Sequence, residues 1–92
     1  MKVIFKHPLE DKKKQVVTMT CDVKILCVQV QNNIPCLWAE QGAMSAPKDW
    51  TIETIHTGYR FPTIQGVERE YIGTYQLSDY VGHVYLLREI EA

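Results

Sequence analysis

Residues 23–40 read VKILCVQVQNNIPCLWAE, and this stretch decides the fold of the chain. Aliphatic, β-branched and aromatic residues lie on both sides of Asn32 and Asn33, which is the composition of two strands joined by a tight turn. Because asparagine adopts a positive φ more readily than other residues with a side chain, an Asn-Asn pair suits both central positions of a type I′ turn. The stretch therefore predicts a β-hairpin.

The two-residue turn also sets the predicted register, with Val28 opposite Leu37 and Leu26 opposite Ala39. Since side chains alternate across a strand, one face of the hairpin is almost wholly apolar and is predicted to be core: Leu26, Val28, Val30, Leu37 and Ala39. The other face carries Trp38 among cysteines, glutamines and isoleucines, which is too apolar for a fully wetted surface. A second sheet layer or another subunit is expected to cover part of it.

The rest of the chain indicates further strands. A second hairpin is predicted at 71–77 and 81–87, where Gly73 and Gly82 indicate bulges or close backbone approaches. Shorter strands are expected at residues 2–6, 15–20 and 51–57. Residues 45–50 could form a short helix capped by Ser45, but a loop followed by a strand is preferred. The prediction is an all-β fold, or a β-rich fold with at most one short helix: a small antiparallel sheet or sandwich of about six to seven strands built from hairpins.

The composition is that of one small globular domain covering residues 1–92, with 46% apolar residues. Ten basic and eleven acidic residues give a formal net charge of −1, so binding of nucleic acid through net charge is not expected. No apolar run approaches the length of about 18 residues that a membrane span needs, and no signal peptide is expected. The three cysteines have no CysXXCys spacing, which favours free thiols in a reducing cytoplasm.

No catalytic or metal-binding motif is present. The sequence has no GlyXXXXGlyLysSer phosphate loop, no GlyXGlyXXGly fingerprint and no nucleophile elbow. His7, His56 and His83 are far apart in sequence and lack the spacing of zinc ligands. The sequence therefore predicts a protein that is not an enzyme and uses no metal or cofactor. A small hydrolase that combines one of the histidines with Cys36 or a carboxylate is the least favoured alternative.

Aromatic residues and one arginine form the candidate binding set. The TyrArgPhe run at 59–61 follows a glycine turn and could stack on a base and pair with a phosphate. The commoner alternative is a turn whose rings close over the core. Tyr71 and Tyr75 have the same strand parity and could form a contact stripe, since tyrosine is enriched at protein interfaces. With the tryptophan of the first hairpin, the candidate binding residues are Trp38, Tyr59, Arg60, Phe61, Tyr71 and Tyr75.

Several segments together resemble an uncharacterised family of short phage and prophage proteins. They are FKHPLE at 5–10, ILCVQVQNNIPCLWAE at 25–40, HTGY at 56–59, YIGTYQL at 71–77 and GHVY at 82–85. The resemblance covers nearly the whole chain, and VQNNIPCLWA is its core motif. It carries no activity over to particular residues, but it implies a phage origin and the cytoplasm of a bacterial host as the location.

A phage origin favours a binding role over catalysis. The expected function is a non-catalytic accessory protein that antagonises a host defence or regulatory factor, either by binding a host protein or by sequestering a nucleotide-type signal. A homo-oligomer could hold such a ligand at a subunit junction. The alternative is a small β domain that binds single-stranded nucleic acid through aromatic residues and the basic run Lys12 to Lys14. Such a run is more often a solvated turn.

Overall fold

The structure is a computed structural model that describes residues 1–90. This range contains seven β-strands and no helix, and therefore no helix that could cross a membrane. The strands are β1 (Lys2–Pro8), β2 (Lys14–Thr20), β3 (Lys24–Gln31), β4 (Ile34–Gly42), β5 (Pro47–His56), β6 (Val67–Gln76) and β7 (Val81–Glu89). All pairings are antiparallel, and they form a first sheet in the order β1-β4-β3 and a second in the order β2-β5-β7-β6. The all-β prediction is confirmed, and residues 47–50 belong to β5 rather than to a helix.

The hairpin of β3 and β4 turns at Asn32 and Asn33, as the sequence predicts. Their φ angles are 52° and 65°, which is the left-handed conformation that both central residues of a type I′ turn require. The predicted pair Val28 and Leu37 is also present. The predicted core position of Leu26 is wrong, because the register shifts between Ile25 and Cys27. Leu26 is the extra residue of a bulge and is 42% exposed, while its neighbour pairs with Ala39 instead.

The second predicted hairpin is formed by β6 and β7 and also contains a bulge. The register shifts between Tyr71 and Gly73, so one extra residue reverses the side to which the following side chains point. Tyr75 is 6% exposed and belongs to the core, whereas Tyr71 is 57% exposed. The predicted stripe of these two tyrosines on one face is therefore wrong.

The two sheets pack through an apolar core. Its most deeply buried members come from both sheets and include Leu37, Ala39, Ile52, Val84 and Leu86. At one side of this core β3 and β6 approach closely, and a Cβ on Gly73 would lie 2.8 Å from Cγ1 of Val28. Glycine at this position therefore sets how closely the two sheets can approach.

The outer face of the first sheet is not covered by the second sheet, which packs on the opposite side. Trp38 is half-buried there beneath the ammonium group of Lys6, which lies 5.8 Å from the ring centroid. The edge strand β1 exposes both of its faces, since Ile4 is 63% exposed and Phe5 is 47% exposed. Of the two predicted coverings for the face of Trp38, a second sheet layer is therefore excluded among residues 1–90.

The outer face of the second sheet is crossed by residues 57–66, called here the covering segment. It has no regular secondary structure. Gly58 and Gly66 bound it with φ angles of 88° and 79°, a conformation that costs glycine little. Ile90 donates its amide to the Gly66 carbonyl at 2.8 Å, and the Phe61 ring lies 6.5 Å from that of Tyr85. The segment thus carries residues 59–61 onto the sheet face opposite the core.

Candidate functional site

A cleft of about 470 Å³ lies between the covering segment and the connection from β1 to β2. We call it the basic cleft. Three parts of the chain line it: Asp11, Lys12, Lys13 and Lys14; Glu53, Thr54, Ile55 and His56; and Tyr59, Arg60, Phe61 and Pro62. Its size is within the usual range of small-molecule pockets. The structure therefore places the TyrArgPhe run at 59–61 beside the lysine run at 12–14.

The lysines are brought to the cleft by a well-anchored turn. Leu9 is 5% exposed and donates its amide to the Pro35 carbonyl at 2.8 Å. Gln15 makes two hydrogen bonds of 2.9 Å to the backbone of Glu10, one as donor and one as acceptor. The carbonyl of Lys13 then accepts the amide of Thr54 at 2.8 Å. The backbone of the turn is thus fixed against β5 while the lysine side chains remain exposed.

The cleft concentrates positive charge in a chain whose formal net charge is −1. Four of the ten lysine and arginine residues line it, namely three consecutive lysines and Arg60. Of the two carboxylates in the lining, Glu53 is paired with Arg69, so Asp11 is the one that offsets the lysines inside the cleft. Lys12 also contacts the carboxylate of Glu10 at 2.7 Å, but both side chains are more than half exposed. A local excess of positive charge remains.

The floor of the cleft contains a buried ion pair. Nε of Arg69 lies 2.5 Å from Oε1 of Glu53, and the two side chains are only 13% and 8% exposed. The guanidinium carbon also lies 4.9 Å from the centroid of the Phe61 ring. Because both charges are withdrawn from water, each depends on the other for its stabilisation. The guanidinium group of this pair therefore packs against the Phe61 ring and supports it.

Aromatic rings form the other wall. The imidazole of His56 stacks on the Tyr80 ring with centroids 4.2 Å apart, and it forms a T-shaped pair with the Tyr59 ring with centroids 5.3 Å apart. Tyr59 is 61% exposed and Phe61 is 48% exposed. The cleft thus offers two accessible aromatic rings next to cationic groups. Tyr80 also contacts the buried phenol of Tyr75, whose pKa is raised by burial and by its hydrogen bond to Tyr80.

The remaining histidines are engaged in local structure. His83 contacts the hydroxyl of Thr57 through Nε2 at 2.7 Å and that of Thr74 through Nδ1 at 3.0 Å. These contacts tie the start of the covering segment to β6. Nε2 of His7 lies 2.8 Å from Nε2 of Gln41, and burial lowers the pKa of this imidazole. The neutral ring of His7 can accept the amide hydrogen, which the protonated ring could not.

The arrangement is suited to binding. Within residues 1–90 there is no group of three histidine, cysteine or carboxylate side chains that could hold a metal ion. The three cysteines are free thiols, and Cys36 is buried with its sulfur donating to the carbonyl of Ile34. What the cleft presents is positive charge and aromatic surface.

Comparison with known protein families assigns the chain to one of them. Residues 1–92 match the model of a family described as a domain of unknown function, DUF7352. The chain belongs to this family. The comparisons with curated proteins and with solved structures found no match. The expectation of an uncharacterised family is thereby confirmed.

The six candidate binding residues do not form a single site in this DUF7352 domain. Tyr59, Arg60 and Phe61 line the basic cleft. Tyr71 does not line the cleft, and its ring forms a T-shaped pair with that of Tyr85 with centroids 5.6 Å apart. Tyr75 is in the core. Trp38 lies on the outer face of the other sheet, so it is not part of the same site.

Sequence reasoning preferred the solvated-turn interpretation of the three lysines and combined them with Tyr59 and Phe61 only in the single-stranded nucleic-acid alternative. It also missed the pair of Glu53 and Arg69. The pairing of Lys14 on β2 with Glu53 on β5 brings the lysines to the cleft. No local sequence pattern predicts a pairing between residues so distant in sequence.

Proposed function

We propose that this chain is a non-catalytic binding protein whose basic cleft holds a phosphorylated aromatic compound of the nucleotide type. The observation that carries the proposal is the convergence of three lysines and Arg60 with the exposed rings of Tyr59 and Phe61. Ammonium and guanidinium groups bind phosphate through charge-assisted hydrogen bonds. Exposed aromatic rings stack on bases. A nucleotide presents both chemistries in one molecule of suitable size.

The charged groups of the cleft support binding without catalysis. Glu53 is engaged in its buried pair with Arg69, so its carboxylate oxygens are already occupied by the guanidinium group. His56 is packed between the rings of Tyr59 and Tyr80. The ionisable groups nearest the cleft floor thus serve to hold its walls.

The binding proposal is tested with ATP and two fragments of it. ATP should bind more tightly than adenosine, which lacks the phosphates, and more tightly than inorganic triphosphate, which lacks the ring. Titration calorimetry on the full chain measures all three. Arg60→Gln should weaken ATP binding about 10–150-fold, since a hydrogen bond to a charged group contributes roughly 1.5–3 kcal/mol. Lys24→Gln is the matched control, because this exposed residue lies on β3 in the other sheet.

Two results would overturn the proposal. One is the absence of ATP binding at millimolar concentration. The other is an equal loss of affinity in Arg60→Gln and Lys24→Gln, which would indicate a non-specific charge effect. The mass of the complex in solution tests the related proposal of a ligand held between subunits: a complex of monomer mass would exclude it.

The biological form of the proposal is a phage accessory protein that antagonises a host defence or regulatory factor in the bacterial cytoplasm. It is supported by the sequence resemblance centred on VQNNIPCLWA. Sequestration of a nucleotide signal predicts that the chain restores phage growth in a host whose defence uses such a signal, and that Arg60→Gln does not. If the variant protects phage as well as the unchanged chain, a host protein becomes the favoured partner.

A single-stranded nucleic-acid function is the second candidate. The lysine run beside two exposed rings favours it, while the formal net charge of −1 opposes it. Oligonucleotide affinity that falls steeply with salt would support this function, and affinity below that of ATP at every salt concentration would exclude it.

A further inference from the structure

The edge strand β1 has backbone groups that point away from its sheet. The register of β1 against β4 is continuous. At its two ends Ala43 donates its amide to the Met1 carbonyl at 2.9 Å, and Leu9 donates to the Pro35 carbonyl at 2.8 Å. Since hydrogen-bonded residues alternate in an antiparallel ladder, the odd-numbered residues of β1 bond to β4 and the even-numbered ones face outward. The outward amides and carbonyls are those of Lys2, Ile4 and Lys6.

Two apolar side chains of β1 lie on the core side of the first sheet without being covered. Phe5 pairs with Ala39, which is fully buried, so both side chains point to the core side. Val3 points the same way, because alternate residues of a strand share a face. Val3 is nevertheless 39% exposed and Phe5 is 47% exposed. A further strand beside β1, with apolar residues opposite these two, would bury both side chains.

The outer side of the same edge carries two lysines, four residues apart, with Ile4 between them. The ammonium group of Lys6 donates to the neutral side-chain amide of Gln31 at 2.8 Å, and no carboxylate among residues 1–90 forms a salt bridge with it. Lys2 contacts Glu40 at 3.2 Å, but its side chain is 63% exposed and an ammonium group has three donors. The outer side therefore favours carboxylates opposite both lysines.

We propose that β1 accepts an extended segment of a partner protein as a further antiparallel strand of the first sheet. The segment carries acidic residues opposite Lys2 and Lys6 and apolar residues at the three positions between them. The outward main-chain groups provide the hydrogen bonds, and the alternating side chains provide the selectivity. Pro8 ends the usable edge, because proline has no amide hydrogen to donate. No residue of β1 lines the basic cleft, so this surface goes beyond the proposed function and does not depend on it.

The test uses two peptides with blocked termini. The acidic peptide contains Glu-Val-Ile-Val-Glu and the basic peptide contains Lys-Val-Ile-Val-Lys, each flanked by serine and glycine. In titration calorimetry on the full chain, the acidic peptide should bind about tenfold more tightly or better, since two opposite-charge pairs replace two like-charge pairs. Its binding should also slow the amide hydrogen exchange of Ile4 and Lys6, whose amides point away from β4.

Reversal of both lysine charges tests the selectivity. Lys2→Glu combined with Lys6→Glu should bind the basic peptide more tightly than the acidic one, and this binding also shows that the variant is folded. Lys2→Gln combined with Lys6→Gln is the second variant and should bind the two peptides nearly equally. The matched control is Lys24→Glu combined with Lys48→Glu, which makes the same change in formal charge at exposed lysines of β3 and β5. It should keep the preference for the acidic peptide.

Three results would overturn the proposal. The first is equal affinity of the two peptides for the unchanged chain, or no binding of either at millimolar concentration. The second is a loss of preference in the control variant as large as that in the β1 variants, which would indicate a non-specific charge effect. The third is a dimer of the chain alone in which the amides of Ile4 and Lys6 are already protected from exchange, because a second copy would then occupy the edge.

Discussion

Removal of the arginine from the buried ion pair should be the most damaging single change near the cleft. In Arg69→Ala the carboxylate of Glu53, whose side chain is 8% exposed in the folded chain, loses its partner. Breaking a buried pair in this way costs about 3–5 kcal/mol of unfolding free energy. For a chain of this size, a loss of about 3 kcal/mol lowers Tm by about 12–24 °C.

The chain supplies a matched control for this change. Arg88 of β7 pairs with Glu70 of β6 at 3.0 Å, but those side chains are 40% and 49% exposed. An exposed pair contributes about 0–1 kcal/mol. The guanidinium group also lies 5.1 Å from the centroid of the Trp50 ring, a contact worth about 0.5–1 kcal/mol, so Arg88→Ala should cost at most about 2 kcal/mol. Urea unfolding followed by circular dichroism measures both variants against the unchanged chain. If Arg69→Ala and Arg88→Ala differ by less than about 1 kcal/mol, the reasoning from burial is refuted.

A double variant separates the loss of the partner from the loss of the pair. Glu53→Leu combined with Arg69→Met removes both charges and leaves apolar side chains in their place. Since replacement of a whole buried pair by packed apolar residues is often neutral or stabilising, the double variant should be more stable than Arg69→Ala. Its nucleotide affinity also tests whether the support of the Phe61 ring by the guanidinium group matters for binding.

Three further predictions concern the fold. Gly73→Ala places a Cβ 2.8 Å from Cγ1 of Val28 and should cost about 1–3 kcal/mol in urea unfolding, of which Val28→Ala in the same chain should restore a part. Asn33→Val should cost about 1–2 kcal/mol because φ is 65°, whereas Asn33→Gly should stay within about 0.5 kcal/mol of the unchanged chain. Because the pKa of His7 is lowered by burial, the unfolded chain binds this proton first as the pH falls below about 6.5. The free energy of unfolding should therefore decrease from pH 7.5 to 5.5 and level off below the pKa of His7 in the folded chain. If His7→Gln shows the same dependence of the unfolding free energy on pH, His7 is not the group responsible.

The predictable part of the fold is the part that local chemistry specifies. The Asn-Asn turn fixes the first hairpin, and alternation then identifies Leu37 and Ala39 as core. The bulge at Leu26 escapes such reasoning, because one extra residue reverses the side of the side chains that follow and no local pattern reveals where it is inserted. Gly73 does indicate the second bulge, but the predicted parity of Tyr71 and Tyr75 leaves out its extra residue. The exposure of Leu26 and the burial of Tyr75 follow from these two insertions.

The candidate site was predictable only in pieces. Residues 59–61 carry a recognisable combination of rings and charge, so they could be selected without a structure. Their juxtaposition with the lysines depends on the pairing of β2 with β5, which brings Lys14 opposite Glu53. The support of Phe61 by Arg69 depends in turn on where the covering segment crosses the sheet. Long-range strand order controls both, and single-sequence patterns contain little information about it.

The exposed edge of β1 has a consequence for how the protein behaves at high concentration. An apolar strand with free backbone groups is a template for adding further strands, and so a risk for fibril growth. Here Lys2 and Lys6 flank Ile4 at equal distances along the strand. If two copies met antiparallel and centred on that isoleucine, each lysine would face a lysine of the other copy, and like charges directly opposite one another are unfavourable. The two ammonium groups thus disfavour the pairing of β1 with β1 of a second copy.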